Sequence, residues 1–322
     1  MYGWGEDTSD WRGKRKYNYD KARNKELDKY SKESRANGPR TYSLNRVPNS
    51  ELVIARKTIS SDSQNPIIFG IDVTGSMCEW PGEFFDRAPL LYQTLSQYKP
   101  DVEISFGAIG DATCDSHPLQ INTFGKELAL ESHIQAIGCE GGGGGHITES
   151  YELFAHFMNT HCSTPNARQP FLFIFGDERF YDKVDPAQAE HYIGGALQQP
   201  LDSKQVFREL AQKFNVYLLH KPYGQGQQSA IDDAVISCWT DAIGGQKIIE
   251  IPSKERAVDI AMALVARQWG RFDDFKNNLE ARQGDKGTRQ TVYEALEQQR
   301  EDALKDTFDP SEIIFKKKYE EK

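Results

Sequence analysis

The segment Asp72-Val73-Thr74-Gly75-Ser76 carries an oxygen-bearing side chain at every second residue. It lies at the end of an apolar run, residues 67–73, which predicts a buried strand. A strand that ends in this way points Asp72, Thr74 and Ser76 to one side of its tip. Three hard oxygen donors that converge there suit a small hard cation such as Mg²⁺ better than a soft metal. The segment therefore indicates a candidate metal site.

A second strand end carries a carboxylate of the same kind. The run Phe171-Leu172-Phe173-Ile174-Phe175 predicts another buried strand, and Gly176-Asp177-Glu178 closes it. In parallel α/β sheets, ligands bind outside the carboxyl ends of the strands. Asp72 and Asp177 both occupy such ends, so we expect them to face the same crevice.

The elements around these residues alternate between strands and helices, which implies a parallel sheet covered on both faces. The sequence therefore predicts an α/β fold, doubly wound, with a mostly parallel six-stranded sheet and one antiparallel edge strand. The predicted strands are residues 67–73, 102–109, 119–124 (the antiparallel edge), 171–175, 216–219 and 247–251. The predicted helices are centred on residues 84–95, 126–137, 149–159, 203–213, 229–243 and 258–269.

At Asp72-x-Thr74-x-Ser76 the chain resembles the von Willebrand factor A (VWA) family and its metal-ion-dependent adhesion site (MIDAS). The family motif is D-x-S-x-S, completed by a threonine before a later helix and an aspartate that ends the fourth strand. Thr148 resembles that threonine and Asp177 that aspartate, and the match extends over about residues 66–275. Two departures are Thr74 in place of the usual serine and a longer glycine run, residues 141–145, followed by His146.

The resemblance implies a metal site made by Asp72, Thr74, Ser76, Thr148 and Asp177. The hydroxyl groups would bind the ion directly and the aspartates mainly through water. Neutral direct ligands leave the charge of the ion poorly compensated, so the open position would favour a carboxylate, which in this family usually comes from a partner protein. Mg²⁺ is the expected ion, with Mn²⁺ or Ca²⁺ as alternatives.

Single residues of this set also have ordinary structural interpretations. Asp72 could cap the turn that follows it, and Thr148 could cap the helix predicted after it. Four neighbouring side chains are candidates for a supporting layer or a rim that contacts the partner, although turn residues and solvent-facing loop residues have the same composition. These four are Asp111, Asp115, His146 and Glu178.

Composition and charge restrict the class of protein. A net charge of −9 argues against general nucleic-acid binding. No stretch approaches the roughly 20 consecutive apolar residues of a membrane span, and the N-terminus lacks the apolar segment of a secretory signal. The five scattered cysteines, none in a C-x-x-C pair, are typical of reduced cytosolic thiols, so we expect a cytoplasmic protein.

The chain ends differ from its middle. Residues 1–50 carry 12 Lys/Arg against 7 Asp/Glu, together with interleaved tyrosine and tryptophan, which predicts a basic aromatic arm that is largely irregular. Residues 51–279 would form the VWA domain. Residues 280–322 are polar and rich in helix formers, which predicts a helical appendage and a charged tail.

Three functions are compatible with these observations. The first is a non-enzymatic module that captures an acidic side chain of a protein partner through Mg²⁺, since no general base is recognisably paired with a nucleophile. The second is a metal-dependent hydrolase or phosphotransferase, which would need a base such as His146, Asp111 or Glu178. The third is an assembly protein that works through its terminal arms.

Overall fold

The structure is a computed structural model, and it describes the chain in several ranges separated by stretches that it leaves undescribed. The described ranges are residues 3–5, 28–30, 32–33, 35–36, 40–53, 57–139, 145, 147–224, 229–282 and 286–305, with the backbone alone at 282 and 298–305. His146, residues 141–144 and residues 306–322 lie outside this set, as does most of the predicted N-terminal arm.

The centre of the fold is a mixed α/β arrangement around a six-stranded sheet. Its strands are β1 (Pro66–Asp72), β2 (Glu103–Ile109), β3 (Leu119–Ile121), β4 (Phe171–Gly176), β5 (Asn215–His220) and β6 (Ile248–Glu250). Their order across the sheet is β6-β5-β4-β1-β2-β3, and β3 alone among them pairs antiparallel. The predicted, mostly parallel sheet with one antiparallel edge strand is confirmed.

The central strands β1 and β4 form because their sequences are rich in β-branched and aromatic residues, and both strands are buried along their whole length. Neighbouring strands place these side chains in register. Phe69 of β1 stacks on Phe106 of β2 at 5.6 Å and on Phe173 of β4 at 5.5 Å between ring centroids. Burying one such side chain stabilises the fold by roughly 1.5–3 kcal/mol.

Buried side chains divide into two core clusters, and alternate residues of one strand join different clusters. Phe69 belongs to the first cluster and Ile68 to the second. The main helices are α1 (Trp80–Tyr98), α2 (Ala129–Gln135), α3 (Tyr151–Thr160), α4 (Ser203–Lys213), α5 (Ser229–Ile243), α6 (Ala257–Gln268), α7 (Phe272–Arg282) and α8 (Lys286–Lys305). They divide in the same way, because α1, α2, α6, α7 and α8 contribute to the first cluster and α3, α4 and α5 to the second.

Shorter elements connect the main ones. Two-residue strands pair Ile59–Ser60 with Cys162–Ser163, Thr148–Glu149 with Arg179–Phe180, and Lys183–Val184 with Leu201–Asp202. Brief helical turns occupy Gly75–Met77, Pro186–Gln188, Ala189–Ile193, Gly245–Lys247 and Lys254–Arg256. None of the helices described here combines the length and apolar character needed to cross a lipid bilayer.

Parts of both terminal regions pack on the central fold. Trp4 and Tyr30 are each 2% exposed, and the Trp4 ring lies 5.3 Å from that of Tyr30 and 6.1 Å from that of Tyr92 in α1. Near the other end, Val292 and Leu296 of α8 are buried in the first cluster. These two regions therefore contribute apolar side chains to the core.

The strand order reverses direction between β1 and β4. From β1 the chain first moves outward through β2 and β3, and then returns to the other side of β1 as β4. In open α/β sheets such a reversal opens a crevice at the carboxyl ends of the two strands, where ligands bind. Asp72 ends β1, and Asp177 directly follows β4.

Candidate metal-binding site

The first part of the site is a tight turn at the tip of β1. Val73 still donates its backbone N–H to Ile109 of β2 at 3.0 Å, so the strand pairing extends past Asp72. The Asp72 carboxylate then accepts a hydrogen bond from the Thr74 backbone N–H at 2.8 Å and lies 2.7 Å from the Thr74 hydroxyl. This local pairing is the Asx turn that aspartate forms with the residue two positions later. It holds a carboxylate and a hydroxyl side by side, both buried.

Glu149 completes this buried group. Its Oε1 lies 2.9 Å from Oγ1 of Thr74, and the residue is only 3% exposed. A hydroxyl has one proton, so Thr74 can donate to Asp72 or to Glu149 and not to both at once. The carboxyl oxygen that receives no proton then faces a lone pair of the Thr74 hydroxyl. This contact is repulsive unless that carboxyl group is itself protonated or a cation lies between the two oxygens. The arrangement is short of one positive charge or proton.

Glu149 also has an oxygen without any partner. Its Oε2 is buried and makes no hydrogen bond to any of the residues that the structure describes. An ionised carboxylate in such a position is unfavourable, because burial removes it from water without replacing the lost hydrogen bonds. This oxygen is a natural ligand for a hard cation.

Tyr151 supports Asp72 from the adjacent helix. It is fully buried at the start of α3 and donates its hydroxyl to Oδ2 of Asp72. The ring lies directly over Gly176, where a Cβ atom would overlap the Tyr151 hydroxyl and ring carbon. The glycine before Asp177 is therefore required by close packing. We call Asp72, Thr74, Glu149 and Tyr151 the inner half of the site.

Burial changes the proton affinity of the inner half. It raises the pKa of Asp72, and the charge of Asp177 raises it further, whereas hydrogen bonds from Tyr151 and Thr74 act in the opposite direction. Burial also raises the pKa of Glu149, as do the charges of Asp72 and Glu178. Without a cation, these two carboxyl groups therefore tend to hold protons.

The other half of the site is partly open to solvent. Ser76 is exposed and donates its hydroxyl to Oδ2 of Asp177 at 2.7 Å. The ammonium group of Lys221 donates to the Ser76 hydroxyl at 2.6 Å and to the same Asp177 oxygen at 2.8 Å. We call Ser76, Asp177 and Lys221 the outer half. The Ser76 hydroxyl and two N–H groups of Lys221 face acceptors in this set, and the Asp177 charge has a counter-charge.

Four of the five predicted metal residues are thus brought together in two connected groups, namely Asp72 with Thr74 and Ser76 with Asp177. Thr148 lies on the two-residue strand with Glu149 and is half-buried, and in the described residues no hydrogen bond joins its side chain to the other four. Its backbone pairs with Arg179 in a short parallel bridge. The neighbouring side chain, that of Glu149, contacts Thr74 instead.

The candidate rim residues make hydrogen bonds outside the inner half, although the charges of Glu178 and Asp111 act on Glu149 and raise its pKa. Asp111 is 1% exposed and accepts hydrogen bonds from Thr113 and from the Tyr181 hydroxyl at 3.0 Å, while Asp115 accepts the Asp111 backbone N–H at 2.7 Å. Both therefore organise their own loop. Glu178 is half-buried and accepts the Tyr223 hydroxyl at 2.9 Å. His146 lies outside the described residues.

Three residues of the site were not among those predicted from the sequence: Glu149, Tyr151 and Lys221. The rule that ligands gather beyond parallel strand ends could have indicated Lys221, because it directly follows β5. Glu149 and Tyr151 fall in a region predicted to begin a helix, where an acidic residue has an ordinary explanation in the helix dipole.

The donors suit a hard ion and not a soft one. In the described part of the chain, no three His, Cys, Asp or Glu side chains are grouped as metal ligands. The site instead combines the hydroxyls of Thr74 and Ser76 with carboxylates, and such oxygen sets suit Mg²⁺, Mn²⁺ or Ca²⁺. The unpartnered Glu149 oxygen is a position that a cation or a proton would satisfy.

Comparisons with known proteins identify no family. The sequence matches no protein-family model and no curated protein. Among solved structures, it is similar to proximal thread matrix protein 1 from the mussel byssus, with 11% identity over 66% of this chain and a TM-score of 0.44. It is also similar to the pilus adhesin SpaC from Lactobacillus rhamnosus GG, with 10% identity over 69% of this chain and a TM-score of 0.43.

A third similar structure is a point mutant of the PilB minor pilin from Streptococcus sanguinis, with 10% identity over 66% of this chain and a TM-score of 0.42. The match spans 49% of the mussel chain, 31% of the SpaC chain and 62% of the PilB chain. The present chain therefore corresponds to only part of each of these proteins.

Proposed function

We propose that this protein is a VWA-type binding module that holds a divalent cation, Mg²⁺ by preference, at the tips of β1 and β4. The bound cation would capture a carboxylate of a protein partner. The observation that carries the proposal is the shared Thr74 hydroxyl between two buried carboxyl groups, one of which has an unpartnered oxygen.

The oxygen donors have defined roles in this proposal. The hydroxyls of Thr74 and Ser76 and the carboxylates of Asp72, Asp177 and Glu149 would hold the ion, with Tyr151 fixing the orientation of Asp72. A bound cation supplies positive charge that attracts an anionic ligand. Ser76 is exposed, so the outer half is the side from which a partner could approach.

Glu149 modifies the expectation drawn from the VWA resemblance. If its carboxylate takes the place expected for the Thr148 hydroxyl, the ion has one more negative neighbour. Its attraction for an external carboxylate is then weaker than in an all-hydroxyl set. We therefore expect tight metal binding and modest affinity for the partner.

The broader assignment agrees with these features. Helices that contribute to two separate core clusters suit a doubly wound, Rossmann-like VWA fold. The five cysteines are all free thiols, which is compatible with a reducing compartment such as the cytoplasm.

Metal binding is tested with Mn²⁺ as the probe, by calorimetric titration and by the loss of the free-ion electron paramagnetic resonance signal. We expect the wild type to bind, and Glu149→Gln to lose at least about tenfold in affinity. Asp241→Asn is the matched control, because it removes an exposed carboxylate that pairs with Lys204 far from the site in sequence. Equal Mn²⁺ affinity in all three proteins would remove the basis of the proposal.

Partner capture is tested separately. Wild type and Asp72→Ala are immobilised and exposed to native lysate, with Mg²⁺ or with EDTA. We expect a set of proteins that binds only to the wild type with Mg²⁺. The same bound set under all four conditions would show that capture does not use the metal.

A further inference from the structure

Lys221 occupies the outer half of the site with a positive charge that belongs to the chain itself. Its ammonium group contacts the Ser76 hydroxyl at 2.6 Å and the Asp177 carboxylate at 2.8 Å. These are two of the oxygen donors that a divalent cation would need. An ammonium group and a divalent cation repel each other, and the energy at about 4 Å is several kcal/mol at a protein surface, so both cannot contact the same two oxygens.

The backbone that carries Lys221 is held in place. Lys221 donates its N–H to the Gly176 carbonyl at 3.0 Å, which continues the pairing of β5 with β4. Beyond it, the Asp232 carboxylate of α5 accepts the backbone N–H groups of Tyr223 at 2.9 Å and Gly224 at 3.3 Å. His220 also contacts Asp232, at 3.1 Å. These hydrogen bonds fix the position of the backbone from which the Lys221 side chain reaches the site.

The side chain of Lys221, in contrast, has room to leave. It is 29% exposed, whereas Asp177 beneath it is 3% exposed. Its ammonium lies 5.7 Å from the centre of the Tyr223 ring, which gives it a favourable aromatic face beside the site. A rotation of the Lys221 side chain would free the Ser76 hydroxyl and the Asp177 carboxylate from the ammonium without any change in the backbone.

We propose that Lys221 is a built-in competitor for the divalent cation, holding Ser76 and Asp177 in the metal-free protein and leaving when the ion binds. This inference rests on the proposed function, since it concerns the same site. It adds a regulatory property, namely that the metal affinity is set by the energy needed to displace the lysine. When the ion binds, the positive charge that contacts Ser76 and Asp177 thus changes from the Lys221 ammonium to the divalent cation.

The test compares Lys221→Met with wild type in Mn²⁺ titrations. Methionine keeps the approximate length of the side chain and removes its charge, so we expect Mn²⁺ to bind about fivefold more tightly, which corresponds to ~1 kcal/mol. Lys221→Arg retains the charge and should stay close to wild type. Lys204→Met, which removes a partly exposed lysine outside the site, is the matched control.

A second readout does not depend on the titration. Removal of the ammonium leaves Asp177 without its counter-charge in the metal-free protein, so the rise in melting temperature on adding Mg²⁺ should be larger in Lys221→Met than in wild type. Equal or weaker Mn²⁺ binding by Lys221→Met, while the wild type binds, would overturn the competition and leave the proposed function intact. Absence of binding by both proteins would overturn both proposals.

Discussion

The inner and outer halves of the site use similar groups in opposite ways. The inner half places two carboxyl groups around one hydroxyl, whose single proton can be donated to only one of them. The outer half places one carboxylate and one hydroxyl around an ammonium group, so its negative charge is balanced by a positive one. The difference indicates that local charge balance, and not residue type, decides which part of a polar site can still accept a cation or a proton.

The largest effect is expected from Glu152, a buried carboxyl group of α3 that, like Glu149, has one unpartnered oxygen in the described residues. It is fully buried, one oxygen accepts the Tyr181 N–H at 3.1 Å, and the other has no partner in the described residues. Burial raises its pKa to about 8. Between the usual pKa of about 4.3 and this value, the folded protein binds a proton that the unfolded chain does not, so stability falls as the pH rises.

Urea unfolding measured from about pH 5 to about pH 8 checks this expectation. Relative to Glu152→Gln, the wild type should lose up to ~1.4 kcal/mol per pH unit over that range. Glu209→Gln, at an exposed position of α4, is the control and should follow the wild type. Parallel curves for wild type and Glu152→Gln would mean that the buried group is ionised and stabilised in some other way.

The second effect concerns the packing that supports the inner half. Gly176→Ala would place a methyl group against the Tyr151 hydroxyl and ring, so Tyr151 must move away from Asp72. Such overpacking typically lowers the free energy of unfolding by about 1–3 kcal/mol. Gly245→Ala is the matched control, because the nearest atom to its added methyl group is 3.8 Å away, on Thr240. Chemical denaturation should show a loss in the first variant and little change in the second.

The smallest effect is expected in the outer half. A double-mutant cycle of Lys221→Met with Asp177→Asn, measured without divalent cations, should give a coupling energy of about 1 kcal/mol or less that decreases with salt. The corresponding cycle of Tyr151→Phe with Asp72→Asn should give a coupling that salt does not change, because both groups are buried. Similar salt dependence in the two cycles would contradict the distinction between the halves.

The sheet could be predicted from the sequence because its signals are local. β1 and β4 are apolar runs followed by polar residues, and the ends of these strands then placed Asp72 and Asp177 at one edge. The pairing of Ser76 with Asp177 also follows from that placement. These parts of the site depend on strand order more than on any detailed packing.

The region of Thr148 and Glu149 shows why the remainder could not be predicted. The sequence predicts a helix from residue 149, but the structure has an extended pair at Thr148–Glu149, and α3 begins at Tyr151. Successive residues of an extended segment point to opposite sides, so burial of Glu149 turns Thr148 away from the same neighbours. The pairing that sets this register is with Arg179–Phe180, about thirty residues later, and such distant contacts leave no local signal.

The meeting of β1, β4 and β5 at one edge also affects how the protein unfolds. The side chains of Asp72, Glu149, Asp177 and Lys221 come from widely separated parts of the chain, so the site forms only when β1, β4 and β5 are assembled. A ligand at this edge therefore binds the native state and not the unfolded chain, and at a hundredfold excess over its dissociation constant it would add ~2.7 kcal/mol to stability. Cation concentration would then act on the lifetime of the entire fold, and not only on the occupancy of one edge.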